Sequence, residues 1–146
     1  MHSGKQLSTE IDATVPTAAR MYDYYLGGKD NYAADRAATE ELDKMVPSTR
    51  RLALNNRRFL QRVVRTLTQE YGIRQYLDHG SGLPTQDNVH QVAQRIDPST
   101  HVVYVDNDPM VLVHGRALLE QDERTVVIQA DMRDTDGIFG HPETER

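Results

Sequence analysis

Apolar residues in the first half of the chain recur at helical spacing, whereas those in the second half fall in short runs. A polar, aperiodic stretch over residues 1–15 predicts a flexible arm. After it, apolar positions three and four residues apart predict helices that each bury one face. Gly72 stands where the last of them should end, because glycine commonly follows a helix. The three predicted helices cover residues 17–26, 32–46 and 48–71.

In the second half, predicted strands alternate with predicted helices. Short runs rich in β-branched residues predict strands over residues 73–77, 101–105 and 125–129. The helical patterns between them predict helices over residues 85–96 and 108–120. This alternation is typical of a parallel sheet. The sequence therefore predicts an α/β fold in which three parallel strands are preceded by helices.

Composition narrows the classes of protein to consider. A chain of 146 residues suffices for one domain, and its net charge of -5 argues against a general nucleic-acid-binding protein. The absence of cysteine excludes disulfides and thiolate metal sites and fits a cytoplasmic protein. No apolar stretch suits a signal peptide or the roughly 18 residues of a membrane span. No His, Asp or Glu pair has the spacing of a metal site.

The sharpest motif is LDHGSGLP, which follows the first predicted strand. Gly80 and Gly82 allow a tight turn and let a ligand approach the backbone without a Cβ in the way. Asp78 and Ser81 belong to the same loop, and ligands of open α/β sheets bind beyond the carboxyl ends of the strands. Taken alone, the motif also suits a plain turn between strand and helix.

Asp106 follows the second predicted strand, 24 residues after Gly82, a separation that fits one crossover helix. An acidic residue at this place can accept hydrogen bonds from both hydroxyls of a ribose. The alternative role is that of a helix cap. Asp108, directly before Pro109, already fills that role, and we therefore expect Asp106 to be free.

Asp131 and Met132 follow the third predicted strand. The carboxylate can accept a hydrogen bond from an exocyclic amine, and the methionine can pack on a flat base. A polar start to a loop explains these two residues equally well. Carboxylates at three successive strand ends together favour a nucleotide-like ligand.

The glycine loop distinguishes between two such ligands. A dinucleotide fold has the pattern G-x-G-x-x-G, but the third glycine position here holds Thr85. Asp78 would also repel a pyrophosphate, whereas it would attract an ammonium group. S-adenosyl-L-methionine carries an ammonium, a ribose and an adenine, which suit Asp78, Asp106 and Asp131 in turn. An NAD-type oxidoreductase remains the less favoured alternative.

Five segments carry a resemblance to a known family: PTAARMYDYYLGGKDNYAADR, NNRRFLQRVVR, YLDHGSGLPT, NVHQVAQ and VVYVDNDPMVLVHGRALL. They closely resemble an actinobacterial family of S-adenosylmethionine-dependent methyltransferases, formerly catalogued as a domain of unknown function. The resemblance runs from Pro16 to about Glu143. It implies a Rossmann-like class I methyltransferase sheet, of which this chain would hold the N-terminal half.

The resemblance also implies roles for eight residues. A first cofactor loop, a ribose site and an adenine site would follow the three strands in chain order. These sites match Asp78, Gly80, Ser81 and Gly82; Asp106 and Asn107; and Asp131 and Met132, respectively.

Two departures from the family shape the functional expectation. His79 replaces a usually apolar residue and is expected to disturb packing under the loop. The family continues beyond Arg146 with strands that usually supply substrate-binding and catalytic groups. We therefore expect residues 73–146 to form a partial S-adenosylmethionine-binding domain, truncated and inactive by itself, with no assignable catalytic residue or methyl acceptor. The alternative is a nonenzymatic cofactor-binding module or an inactive remnant.

The N-terminal motif RMYDYYLGGKDNY gives residues 16–72 a candidate role as a lid. Tyrosine faces attract a sulfonium through cation–π interactions worth about 0.5–2 kcal/mol. The alternative, which we favour for Tyr22 and Tyr25, is that an amphipathic helix buries these rings in the core.

Overall fold

The computed structural model describes residues 7–118 and 122–146. Three helices precede a region in which strands and helices alternate, as the sequence predicts. The helices of the N-terminal region are α1 Ala18–Tyr25, α2 Ala33–Met45 and α3 Thr49–Gln69; they are followed by β1 Gln75–His79, α4 Val89–Ile96, β2 His101–Asp106, α5 Pro109–Leu118, β3 Thr125–Gln129, α6 Thr135–Phe139 and α7 Pro142–Glu145.

The three strands form one parallel sheet in the order β1-β2-β3. Asp78 lies beside Tyr104, and Asp106 lies beside Gln129. Parallel pairing brings all three carboxyl ends to the same edge of the sheet, so the loops that follow the strands become neighbours. The prediction of a three-stranded α/β fold preceded by helices is confirmed.

Element boundaries differ from the predictions where loop hydrogen bonds intervene. Gly72 has a φ of +67°, and the Ile73 N–H donates to the Leu67 carbonyl at 3.0 Å, which delays the start of β1 to Gln75. The predicted cap of α4, Thr85, is wrong. Asn88 fills that place, and its own N–H bonds to the Gln91 side chain in a capping box.

Two short helices, α6 and α7, were not predicted. Both are shorter than the usual apolar repeat, so periodicity gives no signal for them. Asp134 caps α6 by accepting a hydrogen bond from the Gly137 N–H at 3.0 Å. The Ile138 side chain, which is fully buried, then packs against Val105 and Ile128 on one face of the sheet.

The opposite face of the sheet is covered by helices from both halves of the chain. Val64 of α3 and Val92 of α4 pack with Tyr104 of β2 in one buried cluster. A second cluster joins the N-terminal region to the rest, because Ala19 and Tyr32 pack against residues after the glycine loop and in α5. Its buried members are Leu83, Met110 and Val111.

A buried ion pair fixes the first two helices. The Arg20 Nε donates to the Asp35 carboxylate at 2.8 Å, and the two side chains are only 2% and 0% exposed. The Asp35 carboxylate also accepts hydrogen bonds from the backbone N–H groups of Thr17 and Tyr32, at 3.0 and 2.8 Å. A desolvated pair of this kind is costly to break, because the remaining charge stays buried.

We predict that Arg20→Ala lowers the free energy of unfolding by about 3 kcal/mol, the lower end of the range for losing one partner of a buried pair. The backbone donors that remain on Asp35 soften the loss. Lys44→Ala, which breaks an exposed Lys44–Glu41 pair, is the control and should cost less than about 1 kcal/mol. Equal losses in urea denaturation would contradict this account.

Candidate functional site

The glycine loop after β1 is held by the end of β2. The N–H groups of Gly80 and Ser81 both donate to the Val105 carbonyl, at 2.7 and 3.1 Å, and the Gly82 N–H donates to the Asp106 carboxylate at 2.9 Å. Gly80 and Gly82 have φ values of +68° and +70°, in the region that favours glycine. The loop therefore has a defined shape that depends on glycine at both positions.

Open space lies beside this loop. A Cβ on Gly82 would meet no atom within 4 Å, and one on Gly80 would meet only the Met132 Cε, at 3.5 Å. The Ser81 Oγ is buried and has no hydrogen-bond partner among the described residues. The loop thus has bare backbone beside open space at Gly82, which leaves room for a ligand, and the buried Ser81 hydroxyl lacks an internal partner.

Asp78 is a half-buried carboxylate at the end of β1, and none of the described residues donates a hydrogen bond to it. The pKa of this carboxyl is raised to about 6, mainly by burial and to a smaller extent by the charge of Asp106, whereas Arg57 and His79 oppose the rise. The group is therefore partly desolvated without an internal donor. A cationic ligand would satisfy it.

The expectation that Asp106 is free is wrong. One carboxylate oxygen accepts from the Gly82 N–H, and the other accepts from the Asp108 N–H at 3.0 Å. Asp108 nevertheless caps α5 as predicted, by accepting from the Met110 N–H at 2.8 Å. Each carboxylate oxygen can accept further hydrogen bonds, so Asp106 can tie the loop and still accept from a ligand. Asn107, next in the chain, is exposed.

Asp131 and Met132 follow the end of β3. Met132 is 53% exposed, and its methyl group reaches the glycine loop. Asp131 is paired with the exposed Arg133, whose hydrogen bonds hold the pKa of the carboxyl well below its usual range. The structure thus brings Met132 to the loop, while Asp131 is engaged with its own neighbour.

The tyrosines of α1 contact α2 and α3, and only Ser8 of the N-terminal segment reaches the end of a strand in the contacts below. Tyr25 is buried, and its hydroxyl donates to the Asp43 carboxylate at 2.9 Å, so this residue is part of the core. Tyr22 is half-buried and donates to the Ala53 carbonyl at 3.1 Å. The Gln129 Nε2 donates to the Ser8 carbonyl at 2.8 Å, which places the N-terminal segment beside the end of β3.

Sequence reasoning missed Arg57 on α3. Its Nη2 donates to the carbonyls of Gln86 and Asp87, at 3.2 and 3.0 Å, and to the Asn88 Oδ1 at 3.3 Å. The only signal in the sequence was one arginine among several in an amphipathic helix. His79, by contrast, is exposed at the end of β1, so the packing disturbance expected from it is absent.

Comparison with family models matches residues 4–146 to a family described as S-adenosyl methyltransferase. The chain belongs to this family. Comparison with curated proteins gives no match. Within the parts of the chain that the structure describes, no helix is long and apolar enough to cross a membrane, and no group of three potential ligands is placed to hold a metal.

Two solved structures are similar to this family member. A candidate methyltransferase from Thermobifida fusca shares 53% identity with a TM-score of 0.89, over 92% of this chain and 51% of that one. A DUF574 family protein from Streptomyces avermitilis shares 43% identity with a TM-score of 0.87, over 92% of this chain and 52% of that one. The chain therefore spans about half the length of these solved relatives.

The raised pKa of Asp78 leads to a prediction about stability. Because the folded pKa of about 6 exceeds the ordinary 3.8, the folded chain binds this proton more tightly than the unfolded chain. The contribution of Asp78 to stability is therefore present below pH 4 and is lost as the pH rises to about 6. Asp78→Asn should raise the Tm at pH 7.5, and the gain should shrink at pH 4.5.

Thermal melts at both pH values test this expectation. Glu40→Gln, which neutralises an exposed carboxylate on α2, is the control for the change in net charge. A gain for Asp78→Asn that is the same at both pH values would show that the carboxyl is not desolvated.

Proposed function

We propose that this chain binds S-adenosyl-L-methionine at the carboxyl edge of its sheet and supplies the cofactor-binding portion of a methyltransferase. The observation that carries the proposal is the glycine loop with open space beside it. The Asp78 carboxylate, to which no described residue donates a hydrogen bond, directly precedes this loop. Membership of the S-adenosyl methyltransferase family supports the choice of ligand. The chain spans about half the length of its solved relatives. Methyl transfer by the whole protein is therefore also part of this proposal.

The residues at this edge fit the cofactor. The space beside Gly82, which a Cβ would fill, accommodates a ligand against the backbone. Asp78 suits the ammonium group, because a cation restores the charge stabilisation that burial removes. The unsatisfied Ser81 Oγ offers a further hydrogen bond within the loop.

The remaining groups suit the nucleoside. Asp106, with Asn107 beside it, would accept hydrogen bonds from the ribose hydroxyls. Met132 would pack on the adenine ring, and Asp131 would accept from the adenine amine by giving up part of its contact with Arg133. When bound, the cofactor supplies a methyl group on a sulfonium. The protein holds and orients it for in-line transfer to an acceptor, and orientation provides much of the rate.

We expect Asp106→Ala to weaken S-adenosylmethionine binding by at least about 1.5–3 kcal/mol, the range for hydrogen bonds to a charged group. The loss of the Gly82 tie adds to this cost. Isothermal titration calorimetry measures the affinity, with NAD as the competing candidate ligand. Asp122→Ala, at the opposite edge of the sheet, is the matched control. Unchanged affinity in a folded Asp106→Ala variant would refute the ribose assignment.

Gly82→Ala provides a second test, and Gly72→Ala is the control with a matching backbone environment. Both glycines have positive φ, +70° and +67°, and a Cβ on either would meet no atom within 4 Å. Each substitution should lower the free energy of unfolding by about 1–2 kcal/mol. Only the Gly82 variant should lose affinity for S-adenosylmethionine. Equal affinities for the two variants would show that the loop is merely a structural turn.

A further inference from the structure

The amino-acid end of S-adenosylmethionine is a zwitterion, and the site as assigned provides for only half of it. Asp78 suits the ammonium group. The α-carboxylate needs a positively charged or N–H-rich partner close to Asp78. Glycine-loop amides do not supply it readily, because the N–H groups of Gly80, Ser81 and Gly82 already donate to Val105 and Asp106.

Arg57 is positioned to supply this partner. Its Nη2 is committed to the segment after the glycine loop, through the Gln86 and Asp87 carbonyls and the Asn88 side chain. Its Nε is buried without a hydrogen-bond partner, and its Nη1 has none among the described residues. The guanidinium is therefore anchored through Nη2, while Nη1 makes no hydrogen bond to a described residue. Nη1 is thus left to donate a charge-assisted hydrogen bond to a carboxylate.

Asp78 directly precedes the glycine loop, Arg57 bonds to the segment that follows it, and the two side chains are not paired. Each shifts the pKa of the other, since Arg57 lowers that of Asp78 and Asp78 raises that of Arg57. Burial is the larger influence on both groups and opposes the charged form of each. No hydrogen bond or ion pair joins the two side chains in the described structure. A partly desolvated cation and anion that face the same loop without neutralising each other are suited to a ligand with the opposite pair of charges.

We propose that Arg57 binds the α-carboxylate of the cofactor, opposite the contact of Asp78 with the ammonium group. This inference rests on the proposed function, because it assigns a further part of the same site. It gives α3, which lies outside the strand-end motifs, a direct role in recognising the ligand. It also makes the site selective for an intact amino-acid end over nucleosides that lack the carboxylate.

The simpler alternative is that Arg57 only fastens the 86–88 segment to α3. Binding of two ligands, one with and one without the carboxylate, distinguishes the two roles. Decarboxylated S-adenosylmethionine retains the ammonium, sulfonium and nucleoside but has no carboxylate. A carboxylate contact affects only S-adenosylmethionine, whereas a loosened loop affects both ligands.

The test is calorimetric titration of the chain with both ligands. The unsubstituted chain should bind decarboxylated S-adenosylmethionine about tenfold or more weakly than S-adenosylmethionine, as expected for loss of a charged hydrogen bond. Arg57→Gln should weaken S-adenosylmethionine by a similar factor and change the affinity for the decarboxylated ligand by less than about threefold. Arg58→Gln, an exposed neighbour on α3 with the same charge change, should match the unsubstituted chain.

Asp78→Asn completes the design, because both ligands carry the ammonium group and should weaken together. If Arg57→Gln does not fold, the comparison of the two ligands in the unsubstituted chain still decides, since equal affinities would overturn a carboxylate site. Arg57→Gln weakening both ligands by the same factor would overturn the proposal in favour of a loop fastener. Failure of the unsubstituted chain to bind S-adenosylmethionine would instead overturn the proposed function, and this inference with it.

Discussion

The carboxyl end of β2 determines the shape of the candidate site. The Val105 carbonyl accepts two N–H groups of the glycine loop, and the Asp106 carboxylate accepts a third. These bonds form only when β1 and β2 pair in the observed parallel register, with Asp78 beside Tyr104. The loop is therefore a product of strand pairing, and its glycines are needed because that pairing imposes positive φ at Gly80 and Gly82.

The N-terminal helices depend on a second constraint, the buried pair of Arg20 and Asp35. The Asp35 carboxylate joins the segment before α1 to the start of α2, because it accepts hydrogen bonds from the backbone N–H groups of Thr17 and Tyr32. Arg20 compensates the charge of Asp35. Tyr32, at the start of α2, then packs against the core of the sheet region. This packing places the helices against the sheet, where Arg57 of α3 reaches the segment after the glycine loop.

Electrostatics explains why this edge suits a cationic nucleoside better than a dinucleotide. Burial is the main cause of the raised pKa of Asp78, and the negative charge of Asp106 adds to it. A pyrophosphate would add negative charge to that pair. A ligand with an ammonium and a sulfonium group relieves the repulsion, in agreement with the S-adenosyl methyltransferase family to which the chain belongs.

The sequence alone determined the succession of strands and main helices along the chain, because apolar periodicity reflects which face of each element is buried. It also located the glycine loop and the residues that follow the strands, because Gly80 and Gly82 lie between a predicted strand and a predicted helix. It gave no sign of α6, which is too short for periodicity, and it assigned Asp106 too few contacts. Tertiary structure alone decided that Asp106 ties Gly82, that Asp131 pairs with Arg133 and that Arg57 lies near Asp78. Arg57 and Asp78 are distant in sequence, and only the packing of α3 against the sheet region brings their charges within range of each other.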